Sequence, residues 1–79
     1  MEFLLPQISE GTKEAVITAW HVSENGKVKR DQDLLEVTTD KATFDVPSPV
    51  TGTLEKIIKK EGDVARVNEA IAEISEVYE

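Results

Sequence analysis

Displaced by 37 residues, the sequence falls on itself. Ile17 meets Leu54, Trp20 meets Ile57, Glu24 meets Glu61, Leu34 meets Ile71, Glu36 meets Glu73 and Val37 meets Ile74. A chain of 79 residues has room for one domain, and one that small leaves roughly 40% of its unfolded surface exposed. The two copies are therefore two halves of one thin core, not two domains, and each half must be built from the same short elements. The glycines fall one place out of step, since Gly26 needs a shift of 36 to reach Gly62.

What those elements are is decided by periodicity. Val64, Val67, Ile71 and Ile74 fit one face of a helix. Their earlier counterparts, however, follow Asn25-Gly26, a strong two-residue turn signal, and run into a stretch that alternates as a strand. Both copies are expected to be strands. From Lys13 to Val22 apolar residues occur at both parities, which predicts a strand covered along most of its length. Phe3-Leu4-Leu5, Leu34 to Val37, Gly52 to Ile58 and Ile71 to Ile74 read as further strands, and Pro47 and Pro49 exclude a helix or a central strand between them. The prediction is an all-β chain: a flattened barrel or sandwich with two similar halves packed face to face.

Within this frame one turn stands out. Val37 leads into it, and Ala42, Phe44 and Val46 leave it at alternate positions, on one strand face, with Thr43 and Asp45 on the other. Asp40 and Lys41 are neither strand formers nor core residues, so they belong at the tip. The repeat sets Lys41 opposite Tyr78, near the end of the other half. Trp20 is expected in the core, where truncation to Ala costs about 3–5 kcal/mol. His21 is expected to be an exposed or half-exposed strand residue, without a nucleophile to serve, and Lys59-Lys60 to be solvated turn charge.

Absences narrow the function. With no cysteine and one histidine, the chain has no thiol nucleophile, no thiolate or histidine-rich metal site and no His-His acid/base pair. A net charge of -7 and few aromatics disfavour nucleic acid and anionic membranes as partners. No apolar run is long enough to span a bilayer and no leader precedes the first strand, so the expected location is cytoplasmic.

The run Asp31 to Ala42, with Asp40-Lys41-Ala42 at its end, followed by Val46-Pro47-Ser48-Pro49-Val50-Thr51-Gly52, resembles the lipoyl domains of 2-oxo acid dehydrogenase complexes. So does the opening Leu5-Pro6-Gln7-Ile8-Ser9-Glu10-Gly11. Ser9, where many relatives have Gly, and Asn25-Gly26, where Gly-Asp is usual, depart from the pattern in loops only. The resemblance implies two four-stranded antiparallel sheets with quasi-two-fold symmetry, with lipoate in amide linkage on Lys41 at a hairpin tip and the chain termini together in the other sheet. Thr39, Asp40 and Ala42 flank the attachment point, and Glu10 and Gly11 lie in a loop implied to help the decarboxylase recognise the domain.

The implied role is a carrier, not an enzyme. In the implied cycle a thiamin-diphosphate-dependent 2-oxo acid decarboxylase reductively acylates the lipoyl group, an acyltransferase core passes the acyl group to coenzyme A, and a dihydrolipoyl dehydrogenase reoxidises the dithiol. A lipoate ligase or lipoyl transferase is the modifying partner. Residues 1–79 would form a single domain at the N-terminal part of a longer acyltransferase chain, with a linker after Tyr78. The Glu10-Gly11 ending resembles pyruvate and branched-chain acyltransferases more than oxoglutarate ones. Two alternatives stand beside this reading. A biotinyl carrier presents a lysine on a similar hairpin but flanks it with Met, whereas here the neighbours are Asp40 and Ala42. An unmodified β-sandwich would bind a protein partner through its acidic face.

Overall fold

The computed structural model describes residues 1–77. Tyr78, paired with Lys41 by the repeat and expected to end the domain, lies outside the described residues. The elements are β1 (Glu2–Leu4), β2 (Glu14–Trp20), β3 (Lys27–Val28), β4 (Asp33–Thr38), β5 (Thr43–Pro47), β6 (Gly52–Ile57), β7 (Val64–Arg66) and β8 (Ala70–Glu76), with no helix among the described residues. They form two four-stranded antiparallel sheets, ordered β1-β8-β6-β3 and β5-β4-β2-β7. The sheets remain separate, so the architecture is the sandwich of the sequence reading and not a closed barrel.

Exchanging β1 with β5, β8 with β4, β6 with β2 and β3 with β7 turns one sheet order into the other. The repeat is thus a quasi-two-fold axis, and its details recur at the same displacement. In β2 the ladder to β4 slips between Ile17 and Ala19, leaving Thr18 as the extra residue of a bulge. In β6 the ladder to β8 slips between Leu54 and Lys56, leaving Glu55, 37 positions on. Leu34 and Ile71 are likewise the extra residues opposite β5 and β1.

The bulge at Thr18 corrects the reading of β2. An extra residue reverses which parity faces inward. Ala15 and Ile17 are buried before it, Trp20 packs on the core after it, and Val16 is exposed throughout. Apolar residues at both parities reflect this switch, not cover on both faces. Trp20 is half-buried, with its indole Nε1 donating to the carbonyl of Lys59 at 2.9 Å.

Backbone conformation explains the glycine mismatch. The position that needs a left-handed backbone is held by Asn25 (φ 70°) in one half and Gly62 (φ 92°) in the other, so Gly62 is the counterpart of Asn25, not of Gly26. Asp31 (φ 70°) and Asn68 (φ 71°) form a second such pair. Asn68 also ends any helical reading of residues 64–74, since a left-handed residue separates β7 from β8. Across the axis, Glu24 Oε2 accepts from the backbone N–H of Ile57 at 2.8 Å, and Glu61 Oε2 accepts from that of Trp20 at 3.2 Å. The repeated glutamates thus clasp each half to the other.

The core between the sheets is built from Leu5, Ile17, Leu34, Leu35, Val37, Leu54, Ile71 and Ile74, all fully buried. Each contributes about 1.5–3 kcal/mol by leaving water. Ser48 is buried too, satisfied by donating its hydroxyl to the carbonyl of Val50 at 2.7 Å. The core lies between the sheets and leaves both their ends to loops. One of those ends carries Lys41.

Candidate functional site

The β4–β5 hairpin turns between Thr38 and Thr43 at one end of its sheet. Thr38 pairs with Thr43, and the Thr39 N–H donates to the Ala42 carbonyl at 2.9 Å, so Asp40 and Lys41 are the two corner residues. Neither has a positive φ, so this is not the primed turn that matches strand twist most readily. The Thr39 side chain compensates. Its Oγ1 accepts from the backbone N–H groups of Lys41 (3.2 Å) and Ala42 (3.3 Å) and lies 3.2 Å from the Ala42 carbonyl, to which it donates. Below the turn, Thr18 and Thr38 hydroxyls meet at 2.6 Å and Thr38 and Thr43 at 3.4 Å, joining three strands across the outer face. The backbone at the tip is therefore fixed, while the Lys41 side chain is exposed and its Nζ makes no hydrogen bond or ion pair with any described residue. A free amine on a fixed backbone is what an acylating enzyme needs to find one lysine among several.

The flanking residues differ from expectation in one respect. Phe44 and Val46 do turn inward from β5, but Ala42 stays exposed, because it closes the turn before the strand begins at Thr43. It contributes small size beside Lys41, not core packing. Pro47 ends β5, an edge strand, where the missing N–H costs no ladder bond.

The loop between β1 and β2 stands beside this tip. Gln7 Nε2 donates to the carbonyls of Ser9 (2.6 Å) and Thr12 (2.7 Å), the hydroxyls of Ser9 and Thr12 meet at 2.6 Å, and Gly11 takes the left-handed φ of 81° that closes the loop. Ile8 packs against the core from within it. Gly11, Thr12 and Lys13 line one wall of a shallow groove of about 580 Å³, and Thr38, Thr39 and Asp40 line the other. Glu10 is exposed and forms no part of that lining. Val16 and Val64 form the floor, two register partners that are 40% and 49% exposed and that the sequence reading did not single out.

Elsewhere the chemistry is sparse. His21 Nε2 lies 3.7 Å from Asp45 Oδ1, both side chains open to water. No group of three metal-ligating side chains occurs among the described residues, and no described helix is long and apolar enough to cross a membrane. Glu69 is held below the usual carboxylate range by the Arg66 N–H that its Oε1 accepts at 2.9 Å, helped by Lys59 at 3.3 Å. This bond closes a loop far from the lysine in sequence and is structural.

Known proteins place this geometry. The profile of the family described as "Biotin-requiring enzyme" matches residues 1–74. The chain is 42% identical over 73 residues to the dihydrolipoyllysine-residue acetyltransferase component of the pyruvate dehydrogenase complex of Staphylococcus aureus, and 41% identical to that of Staphylococcus epidermidis. Each match covers 92% of this chain and 17% of the relative, so the chain spans about a sixth of those proteins. Among solved structures, the lipoyl domain of the 2-oxoglutarate dehydrogenase complex from Azotobacter vinelandii superposes with a TM-score of 0.76 at 26% identity, over 96% of both chains.

Proposed function

Since the chain belongs to the family of biotin- and lipoyl-bearing domains, as a lipoyl domain of the 2-oxo acid dehydrogenase type, we propose that Lys41 is its point of lipoate attachment and that the domain is a mobile carrier. The observation that carries this is the tip itself: an Nζ without a partner among the described residues, at the corner of a turn whose backbone is held by Thr39. An amide there removes a positive charge from an exposed site and disturbs no hydrogen bond or ion pair of the Nζ among the described residues. A dithiolane bound at Lys41 supplies the disulfide–dithiol chemistry that a chain without cysteine lacks.

What this chain's residues do is positional. Thr39 fixes the corner, Asp40 and Ala42 leave both sides of the lysine uncluttered, and the Gln7–Thr12 loop gives a partner a second rigid surface beside it. Gly11 supports a recognition role by lying in the wall of the groove at the tip, whereas Glu10 would act only from the outer side of that loop. The partners follow from the complexes in which the relatives are named: a thiamin-dependent decarboxylase, an acyltransferase core of which this domain is a covalent part, a dihydrolipoyl dehydrogenase and a lipoate-attaching enzyme. Residues 1–79 would form one such domain of an acyltransferase chain, acting in the cytoplasm.

Intact mass tests this. Incubation with a lipoate ligase, lipoate and ATP should add one lipoyl group, and Lys41→Arg should abolish the addition. A biotinyl increment with biotin ligase instead, or no increment with either enzyme, would reject the assignment.

A further inference from the structure

The quasi-two-fold axis separates what the fold requires from what it does not. Val16 and Val64 pair across β2 and β7 on the outer face, at the tip end. Displaced by 37 residues, they correspond to Thr53 and Lys27, which pair across β6 and β3 in the other sheet. The same outer-face pair is thus polar in the half without the lysine and apolar in the half with it. Both pairs sit in equivalent ladders, so sheet formation does not ask for valine at either place. The counterpart groove at the far end, lined by Arg30, Val50, Thr51, Glu76 and Val77, is also smaller, about 260 Å³ against 580 Å³. The difference follows the β1–β2 loop, which is longer than the Ser48–Thr51 connection that replaces it in the other half.

We propose that the Val16–Val64 pair is a resting seat for the lipoyl group on Lys41, so that the modified arm folds down onto its own domain. This rests on Lys41 being the attachment point. Thr38, three residues before Lys41, is the register partner of Val16, and Val64 lies one strand further, about 10 Å from β4 across two strand spacings. The lysine methylenes and the lipoyl acyl chain together reach across that distance. The tether holds the group at a roughly millimolar or higher effective concentration over the groove, so two half-exposed valines and the aliphatic stems around them suffice for a weak, reversible contact. Modification also decides whether the seat is used. An unmodified ammonium stays in water because placing it on valine would strip its hydration, whereas the amide-linked arm carries no charge. A partner enzyme then has to lift the arm from the seat, which makes the groove wall at Gly11 and Asp40 the place where docking and release are coupled.

The test uses the methyl groups of Val16 and Val64 as reporters in the unmodified and lipoylated domain, with intact mass establishing the modification in each sample. Lipoylation is expected to shift both valine methyl resonances and to give nuclear Overhauser contacts between them and the dithiolane ring. Val16→Thr with Val64→Lys, which installs the residues of the other half, should remain foldable and lipoylated yet lose those contacts, with the ring spectrum moving to that of free lipoamide. Shifts confined to residues 39–43, dithiolane contacts that survive the double substitution, or valine shifts that appear only when a decarboxylase is added would each overturn the seat. A domain that gains no mass at Lys41 would refute the attachment itself, a separate outcome from a modified arm that never touches the valines.

Discussion

Gly52→Ala should remove a large share of this domain's stability. Gly52 begins β6, and a Cβ there would lie 2.0 Å from the carbonyl oxygen of Ser75 and 2.9 Å from its carbon, both backbone atoms of β8. Real Cβ atoms keep at least 3.0 Å from such neighbours. The strands must therefore part by about 1 Å where Gly52 pairs with Glu76 and Thr53 with Ser75. Loss of two ladder bonds at about 1 kcal/mol each, with overpacking of about 1–3 kcal/mol, gives a cost of about 3–5 kcal/mol. A chain of 79 residues has a total stability of about 4–12 kcal/mol. Urea denaturation followed by the fluorescence of Trp20, the sole tryptophan, measures the difference. Gly11→Ala is the control: its φ of 81° costs the left-handed penalty of about 1–2 kcal/mol, but nothing lies within 4 Å of the new Cβ. If Gly52→Ala costs less than Gly11→Ala, the close approach of β6 to β8 is wrong.

Thr39→Val keeps the shape of the tip but removes the acceptor for the Lys41 and Ala42 N–H groups, so hydrogen exchange at both amides should accelerate while global stability falls by only about 1 kcal/mol. Asn25→Gly should raise stability by up to about 1 kcal/mol in thermal melts, because it places at φ 70° the residue that the other half already uses at Gly62. Glu69 has a folded-state pKa below its ordinary value, so its contribution is complete above the ordinary carboxylate pKa and is lost as pH falls through the lowered one. Glu69→Gln should therefore flatten that part of the acid limb of a stability–pH curve. The amide should still cap its loop, as Gln32 Oε1 does when it accepts from the Lys29 N–H at 3.0 Å in the other half.

The sequence disclosed the symmetric frame because paired residues such as Glu24 and Glu61 keep their roles across the axis, down to the backbone amide each accepts. It disclosed the tip because Asp40 and Lys41 have no competing use in a strand. It obscured β2, since the bulge at Thr18 reverses the inward parity and a bulge leaves no mark in a two-residue period. The glycine register was obscured because asparagine tolerates the left-handed backbone, so Asn25 and Gly62 do one job with different side chains. Strands of two or three residues, β3 and β7, have too few positions to show alternation. The groove floor was hidden for the same reason as β2: Val16 was assigned to a covered strand, and only the ladder puts it outside, against Val64.

Peptide mapping by tandem mass spectrometry after ligase treatment tests the account most directly, because it asks where the group sits and not only whether one is added. The tip geometry predicts a lipoyl increment on Lys41 alone, with Lys13, Lys59 and Lys60 untouched although each lies in or beside a loop. It also predicts none in a variant that moves the lysine one place, with Asp40→Lys and Lys41→Asp together. A lipoyl group on any other lysine, or full modification of the displaced one, would contradict the claim that the fold serves to hold Lys41 in place.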